Sequence, residues 1–298
     1  EISACLVGSE MCIRDRGGTI AAIVKNYSRI SFNFGPTLLA WLERHAPDTY
    51  AALLAADRQS IKRWGHGNAL AQVYNHVIMP LANSRDKRTQ VVWGVRDFER
   101  RFGRRPEGMW LAEAAVDQES LVCLADEGIK FTILSPGQAQ AVRPGPDAPW
   151  REVGGGHVDP KRPYRVALPG GRDMAVFFYD GPLSRAVAFE HILDDGAGMA
   201  QRIKGLLDAD PQEPQIVSMA TDGESYGHHH RFGEMALAYA LQRLDDDPQL
   251  ELINFAAYLE AFPPTWEARV VEGSSWSCAH GVERWRGDCG CAVDRGSG

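Results

Sequence analysis

The chain has 298 residues, of which 44% are hydrophobic and 24% are charged, the ordinary proportions of a folded globular protein. Its net charge of -7 and the lack of a basic stripe argue against a nucleic-acid partner. No apolar stretch approaches the roughly 20 residues that span a bilayer, and no signal peptide is evident, so we expect no membrane partner and a cytoplasmic location.

The first sixteen residues do not resemble the start of a protein. Residues 1–16 lack an initiating Met and any clear periodicity, and we interpret them as a non-native segment similar to a translated sequencing adapter. We assign the fold to one partial domain over residues 17–298. The chain stops abruptly in a segment of Gly and Cys residues, so we expect a fragment of a longer protein.

Hydrophobic periodicity predicts helices and strands that alternate along most of the chain. Helices are predicted over residues 37–44, through Val91 to near Gly103, and over residues 117–127, 198–207 and 232–244. Strands are predicted over residues 109–112, 130–134, 174–179 and 216–220, and residues 250–255 begin one more strand and helix. This alternation favours a parallel sheet with crossover helices, closed as a barrel rather than open. Residues 138–172, rich in Pro and Gly, are predicted to be a long loop insertion.

Two carboxylates come just after predicted strands. Glu113 comes after residues 109–112, and Asp222 comes after residues 216–220. Acids at the carboxyl ends of parallel strands meet at one rim, where barrel enzymes carry out their chemistry, and two such acids are the minimum for cleaving a glycosidic bond. Glu113 is therefore a candidate nucleophile and Asp222 a candidate acid/base. The alternatives are a Glu that favours a helix start and an Asp that caps a turn.

The segment around Asp222 carries further polar candidates. Glu224 shares a face with Asp222 on an extended segment and would bind a sugar hydroxyl or tune the acidity of Asp222. His228 is a candidate for binding substrate hydroxyls, although the three adjacent histidines at 228–230 could simply open the next helix. A less favoured alternative is a Zn²⁺-dependent carbohydrate deacetylase that uses Asp222, His228 and His230.

Other candidates lie elsewhere in the chain. His66 stands between two glycines, which lets backbone approach a ligand closely, and His76 lies near a predicted strand end. Large aromatics are either a sugar-stacking platform or core, and the candidates are Trp110, Trp276 and Trp285. The spacing of Cys278, Cys289 and Cys291 matches no standard zinc pattern, so we interpret these residues as reduced packing cysteines and expect no metal.

Three motifs occur in a recognisable order. They are Gly-His-Gly at 65–67 with Tyr-Asn-His-Val-Ile-Met-Pro at 74–80, then Glu-Gly-Met-Trp-Leu-Ala-Glu at 107–113, then Thr-Asp-Gly-Glu-Ser-Tyr-Gly-His-His at 221–229. Together they resemble glycoside hydrolase family 57. The segment Ser-Trp-Ser-Cys-Ala-His-Gly-Val-Glu-Arg-Trp at 275–285 is similar to a little-characterised bacterial branch of that family, and the similarity covers roughly residues 18–291.

The resemblance implies an incomplete (β/α)7 barrel and a retaining glycosidase or transglycosylase that acts on alpha-linked glucans or related oligosaccharides. Glu113 matches the family nucleophile, Asp222 the acid/base and Glu224 the second acid, while His66 and His76 match ordered histidines only loosely. The two catalytic carboxyls are then expected about 5–5.5 Å apart. A carbohydrate substrate is the expected partner, no metal or organic cofactor is expected, and the oligomeric state is left open.

The chain departs from the family pattern at both ends. The first family motif, expected before residue 17, is absent, and the helical region that follows the barrel would lie mostly beyond residue 298. The fragment is therefore expected to be inactive or poorly folded if those parts are needed. The alternative is a non-catalytic glucan-binding barrel that kept its pocket and lost turnover.

Overall fold

The computed structural model describes residues 11–14 and 20–291, with side chains from residue 25 onward. The helices are α1 Pro36–His45, α2 Pro47–Trp64, α3 Ser84–Phe102, α4 Gln118–Asp126, α5 Gly181–Phe189, α6 Gly196–Lys204, α7 Gly233–Asp245 and α8 Phe255–Ala261. The strands are β1 Met11–Arg14, β2 Ile20–Val24, β3 Ala71–Gln72, β4 Met109–Trp110, β5 Phe131–Leu134, β6 Ala139–Arg143, β7 Arg151–Glu152, β8 Pro163–Leu168, β9 Arg172–Phe178 and β10 Trp266–Val270. No helix in the described part of the chain has the length and apolar character needed to cross a membrane.

The segment predicted to be non-native is described only in part. Residues 1–10 and 15–16 lie outside the described residues. Between them, β1 pairs with β2 in an antiparallel ladder. The boundary predicted at residue 17 therefore stays a prediction.

The described chain falls into two compact units. The first unit comprises the residues up to Leu70, together with Pro160–Arg162 and Tyr179–Pro263. Its core lies between α6 and α7, where Met199 packs with Leu237 and Leu241 in one buried apolar cluster. These residues recur at helical spacing, so each helix turns one apolar stripe towards the cluster.

The second unit comprises Ala71–Asp159, Pro163–Phe178 and residues 264–291. It contains a sheet in the order β5-β9-β8-β10-β6-β7. A series of parallel pairings joins β3 to this sheet. Strand β3 pairs with β4, a bridge from Gly108 to Phe131 joins the start of β4 to β5, and β5 pairs with β9. Buried side chains on both faces of β5 match the continuous apolar pattern of a parallel strand.

Helix α3 packs against β3 in this unit through a glycine. A Cβ atom built at Gly94 would overlap the backbone carbonyl of Gln72. The glycine therefore permits a close approach of helix and strand that any larger residue would prevent.

Several predicted elements are confirmed at close to their predicted ends. Helix α4 begins after Asp117, whose carboxylate accepts the Ser120 N–H at 2.8 Å as an N-cap. Helix α3 ends at Gly103, which takes the left-handed conformation at φ 68° that favours glycine. The helices predicted near residues 37–44, 198–207 and 232–244 are also present as α1, α6 and α7.

Three predictions about individual segments are wrong. Residues 138–172 are not a loop, since they contribute β6, β7 and β8 to the sheet. Residues 216–220 form no strand, although Ile216 N–H donates to the Lys161 carbonyl at 2.9 Å and Asp180 N–H donates to the Ser218 carbonyl at 2.8 Å. Residues 250–254 form no strand either. An apolar run becomes a strand only where a partner offers a continuous ladder, which the run itself does not encode.

Candidate active site

Glu113 lies at the exit of β4, on a backbone turn that is unusual for a residue with a side chain. Glu113 has φ 56° and ψ 22°, and Ala114 has φ 48°. Non-glycine residues rarely adopt the left-handed region, and such strain persists only where the surroundings hold it. Ala112 and Ala114 are buried on either side, while Glu113 itself is half-buried. The turn thus leaves the Glu113 side chain partly exposed between two buried alanines.

The Glu113 carboxylate is held from a distant part of the same unit. Trp276 donates its indole N–H to Oε2 at 3.0 Å, and Ser277 donates its hydroxyl to the same oxygen at 2.7 Å. The Trp276 backbone N–H also donates to the Glu113 carbonyl at 3.0 Å. The Trp110 and Trp276 rings meet edge to face with their centroids 5.0 Å apart. Two side-chain donors therefore orient the carboxylate, and the Trp276 N–H holds the backbone of Glu113.

Asp222 lies in the first unit, on an exposed turn. It precedes the short 3-10 turn Gly223–Ser225, and its carbonyl accepts the Ser225 N–H at 3.0 Å. In the same segment, the Tyr226 hydroxyl and Thr221 Oγ1 are 3.1 Å apart. Burial raises the pKa of the Tyr226 phenol, against the smaller opposing effect of that hydrogen bond. The turn is thus anchored by a half-buried tyrosine, and Asp222 is exposed to solvent.

The polar residues that follow Asp222 do not form one cluster. Glu224 Oε2 lies 3.5 Å from His229 Nε2, and the rings of His228 and His229 meet edge to face. The His230 ring instead bonds to the Ala188 carbonyl at 3.2 Å. Among the described side chains, Asp222, His228 and His230 are not a group whose ligand atoms converge. The geometry does not favour the deacetylase alternative.

The two histidines outside this segment have separate surroundings. His66, in the first unit, lies 3.0 Å from Glu260 through Nε2, and its carbonyl accepts the Asn254 side chain at 2.9 Å. His76, in the second unit, is exposed and has φ 54°. Trp285 is half-buried, with the Arg284 guanidinium 5.4 Å from its ring. The substrate-binding roles of His66, His76 and Trp285 stay predictions.

The cysteines near the end of the described chain come together. Cys278 Sγ lies 3.7 Å from the sulfurs of both Cys289 and Cys291, and His280 Nδ1 lies 3.2 Å from Cys291 Sγ. Disulfide sulfurs would be about 2.0 Å apart, so these are thiols. Burial raises the pKa of Cys278, but hydrogen bonds from the His280 backbone and the neighbouring thiols outweigh it and bring that pKa to about 7.

The spacing of the three cysteines did not predict this cluster, because His280 was not considered with them. One residue lies between Cys278 and His280, one lies between Cys289 and Cys291, and residues 281–288 separate the two pairs. The four ligand atoms lie within 4.8 Å of one another, a group that could hold a metal ion. The structure thus brings the three cysteines and His280 together, and the interpretation of the cysteines as reduced packing residues stays a prediction. The pair Cys278 and His280, followed by the pair Cys289 and Cys291, is the sequence signal that could have indicated the cluster.

The order of the motifs agrees with a family match that covers most of the chain. Residues 26–270 match the family model described as Glycosyl hydrolase family 57. The chain belongs to that family.

The relatives that match this chain include an alpha-amylase and a 4-alpha-glucanotransferase. The chain is 23% identical over 259 residues to an alpha-amylase of Pyrococcus horikoshii, covering 84% of this chain and 37% of that relative. It is also 23% identical to a 4-alpha-glucanotransferase of Thermococcus litoralis, covering 84% of this chain and 36% of that relative. The chain thus spans little more than a third of the length of these curated relatives.

A solved structure extends the likeness to the fold. The crystal structure of 4-alpha-glucanotransferase from Thermococcus litoralis superposes with a TM-score of 0.62 at 19% identity, covering 84% of this chain and 37% of that one. The predicted α/β fold of the incomplete (β/α)7-barrel type is confirmed by this likeness and by the parallel run of strands in the second unit.

Proposed function

We propose that this chain carries the catalytic carboxylates of a retaining glycoside hydrolase or transglycosylase that acts on alpha-linked glucans. The observation that carries the proposal is the Glu113 carboxylate, which emerges from a strained turn at a strand end and is oriented by Trp276 and Ser277. A carboxylate held in this way suits a nucleophile, because its reacting oxygen must point at one carbon atom.

The covalent chemistry assigns one task to each carboxyl group. Both side-chain donors contact Oε2 of Glu113, so we assign Oε1 to the attack on the anomeric carbon. As the new C–O bond forms, the glycosidic C–O bond breaks and the leaving oxygen takes a proton from Asp222. Asp222 then removes a proton from water or from an acceptor hydroxyl, whose oxygen attacks the same carbon and releases Glu113.

The substrate class is inferred from the family and from the names of the relatives. An alpha-amylase and a 4-alpha-glucanotransferase both match across most of this chain, which supports an alpha-glucan as substrate. Water as the acceptor yields hydrolysis, and a second sugar yields transfer. The choice depends on how well the site excludes water and binds an acceptor. Glu224 and His228, exposed beside Asp222, are proposed to contact sugar hydroxyls.

Trapping of the covalent intermediate tests this proposal directly. The protein is incubated with a fluorinated glycosyl fluoride of the alpha-gluco series, which forms a slowly hydrolysed ester with a retaining nucleophile, and is then digested and analysed by mass spectrometry. We expect a glycosyl adduct on the peptide that contains Glu113. The adduct should be absent in Glu113→Gln and present in Glu251→Gln, a change at an exposed glutamate of the first unit.

Chemical rescue tests the role of Asp222. In Asp222→Asn, an aryl glycoside with a good leaving group needs no acid, and added azide can replace the base-activated water. We expect azide to restore turnover and to give the alpha-glycosyl azide. If glucans bind the wild-type protein with neither adduct nor turnover, the protein is a glucan-binding barrel and the catalytic proposal is wrong.

A further inference from the structure

We propose that Cys278, His280, Cys289 and Cys291 form a structural Zn²⁺ site in the second unit. The four residues come from one segment that follows β10, and their ligand atoms all lie within 4.8 Å of one another. Three thiolates and one imidazole are a ligand set that zinc uses in closed, structural sites. This site goes beyond the proposed glycosidase chemistry, which needs no metal.

The distances fit a tetrahedral zinc ion. Zn–S bonds of about 2.3 Å in a tetrahedron place two sulfurs about 3.8 Å apart. The Sγ atoms of Cys289 and Cys291 each lie 3.7 Å from that of Cys278. The His280 Nδ1 to Cys291 Sγ distance of 3.2 Å is slightly shorter than the roughly 3.6 Å that Zn–N and Zn–S bonds would set. A small outward movement of these side chains would admit the ion.

The backbone next to Cys278 and His280 forms a tight turn. Gly281, with φ 69°, turns the chain directly after His280, and a Cβ atom there would overlap the Gly273 carbonyl. The Val282 N–H donates to that same carbonyl at 2.9 Å, and the Ser275 hydroxyl donates to the Gly281 carbonyl at 2.8 Å. The first ligand pair is thus presented by a tight, internally bonded turn.

The second ligand pair has less support of its own. Apart from the thiol contacts, the hydrogen bond described for residues 288–291 is that from the Gly290 N–H to Asp288 at 3.0 Å. No helix or strand of the described chain includes Cys289 or Cys291. A loop with so little regular structure needs a cross-link to hold two thiols beside Cys278, and a metal ion supplies one.

The site is adjacent to the residues that orient Glu113. Trp276 and Ser277 immediately precede Cys278, and both donate to Glu113 Oε2. The ion would therefore fix the segment that positions the carboxylate without contacting substrate. This consequence rests on the proposed function, whereas the metal site itself does not.

Metal analysis of the purified full chain tests the site. We expect about one zinc per chain by mass spectrometry of the metal content, as a closed structural site requires. Even residues outside the ligand shell change metal affinity by about 10–100-fold, so Cys278→Ser or Cys289→Ser should lower it at least as much. Cys123→Ser, at a half-buried thiol on α4, is the matched control and should keep the zinc.

Cobalt substitution keeps the test valid if a cysteine variant fails to fold. Wild-type protein stripped with a chelator and titrated with Co²⁺ should show thiolate-to-cobalt charge-transfer bands and the visible bands of tetrahedral cobalt. His280→Cys should retain binding with a shifted spectrum. Absence of these bands, zinc content unchanged in Cys278→Ser, or alkylation data that show disulfides among the three cysteines would each overturn the site.

Hydrogen exchange tests the connection to Glu113 separately. The Trp276 N–H, which donates to the Glu113 carbonyl, should exchange faster in chelated protein and slow again when Zn²⁺ is restored. Unchanged exchange in protein that binds zinc would overturn the positioning role. This measurement does not use turnover, so its result is independent of the glycosidase proposal.

Discussion

Trp276 contacts Glu113 twice, with its indole N–H on the carboxylate Oε2 and its backbone N–H on the carbonyl, each at 3.0 Å. The two residues are 163 positions apart in the chain. One residue therefore supports both the strained backbone of Glu113 and the orientation of its side chain. With the Ser277 hydroxyl on the same oxygen, this contact makes Trp276 and Ser277 part of the catalytic framework that we propose.

The first prediction concerns this contact. Trp276→Phe keeps an aromatic ring beside Trp110 and removes the indole donor to Glu113. A hydrogen bond to a charged group is worth about 1.5–3 kcal/mol, so we expect kcat on an alpha-glucan substrate to fall by about 10–100-fold. KM should change little, because the donor orients the nucleophile. Trp93→Phe, at a half-exposed tryptophan on α3, should retain wild-type rates.

The second prediction concerns the close approach of α3 to β3. Ala is normally favoured over Gly inside a helix by about 1 kcal/mol. Gly94→Ala should nevertheless lower the free energy of unfolding by about 1–3 kcal/mol, since its Cβ atom would overlap the Gln72 carbonyl. Urea denaturation measures the change. Arg88→Ala, exposed on the same helix, should stay within about 0.5 kcal/mol of wild type.

The third prediction concerns the apolar core of the first unit. Leu237 on α7 is 2% exposed and packs in the cluster with Met199. Leu237→Ala should lower the free energy of unfolding by about 2–5 kcal/mol, because it removes apolar contacts and leaves a cavity. Met235→Ala, on an exposed face of the same helix, should have a much smaller effect. Equal losses in the two variants would contradict the assignment of this core.

The fourth prediction concerns pH. The Lys87 ammonium, nearly buried, donates to Asp117 at 2.5 Å and to Glu119 at 2.6 Å. The hydrogen bond from Lys87, with one from Ser84, lowers the pKa of Glu119 from its usual 4.5. A carboxyl whose pKa is lowered on folding stabilises the protein above its unfolded pKa, and that stabilisation is lost as the pH falls through the folded pKa.

Glu119→Gln should therefore cost stability at neutral pH and progressively less below about pH 4.5. Denaturation curves at several pH values measure the difference. In a Lys87→Gln background the pH dependence of the same change should be much smaller, because only the weaker Ser84 hydrogen bond still lowers the Glu119 pKa. An undiminished pH-dependent difference in that background would contradict the pairing.

The family, the fold class and the two candidate carboxylates could all be predicted from the amino-acid sequence alone. Ordered motifs such as residues 107–113 and 221–229 are local, so they can be recognised without knowing what they contact. Helices whose signals are local were also predicted well, as the Asp117 cap and the Gly103 end illustrate. In these cases the physical cause lies within one turn of the residue concerned.

The strand pairings, the support of Glu113 and the cysteine cluster depend on contacts between distant segments. Whether residues 216–220 become a strand depends on partner backbones that belong to other segments, and so does the pairing of residues 138–172 into the sheet. The support of Glu113 by Trp276 and Ser277 is a long-range contact that no local pattern encodes. The convergence of Cys278, His280, Cys289 and Cys291 requires a loop to fold back, since ligand atoms meet through chain geometry and not through spacing alone.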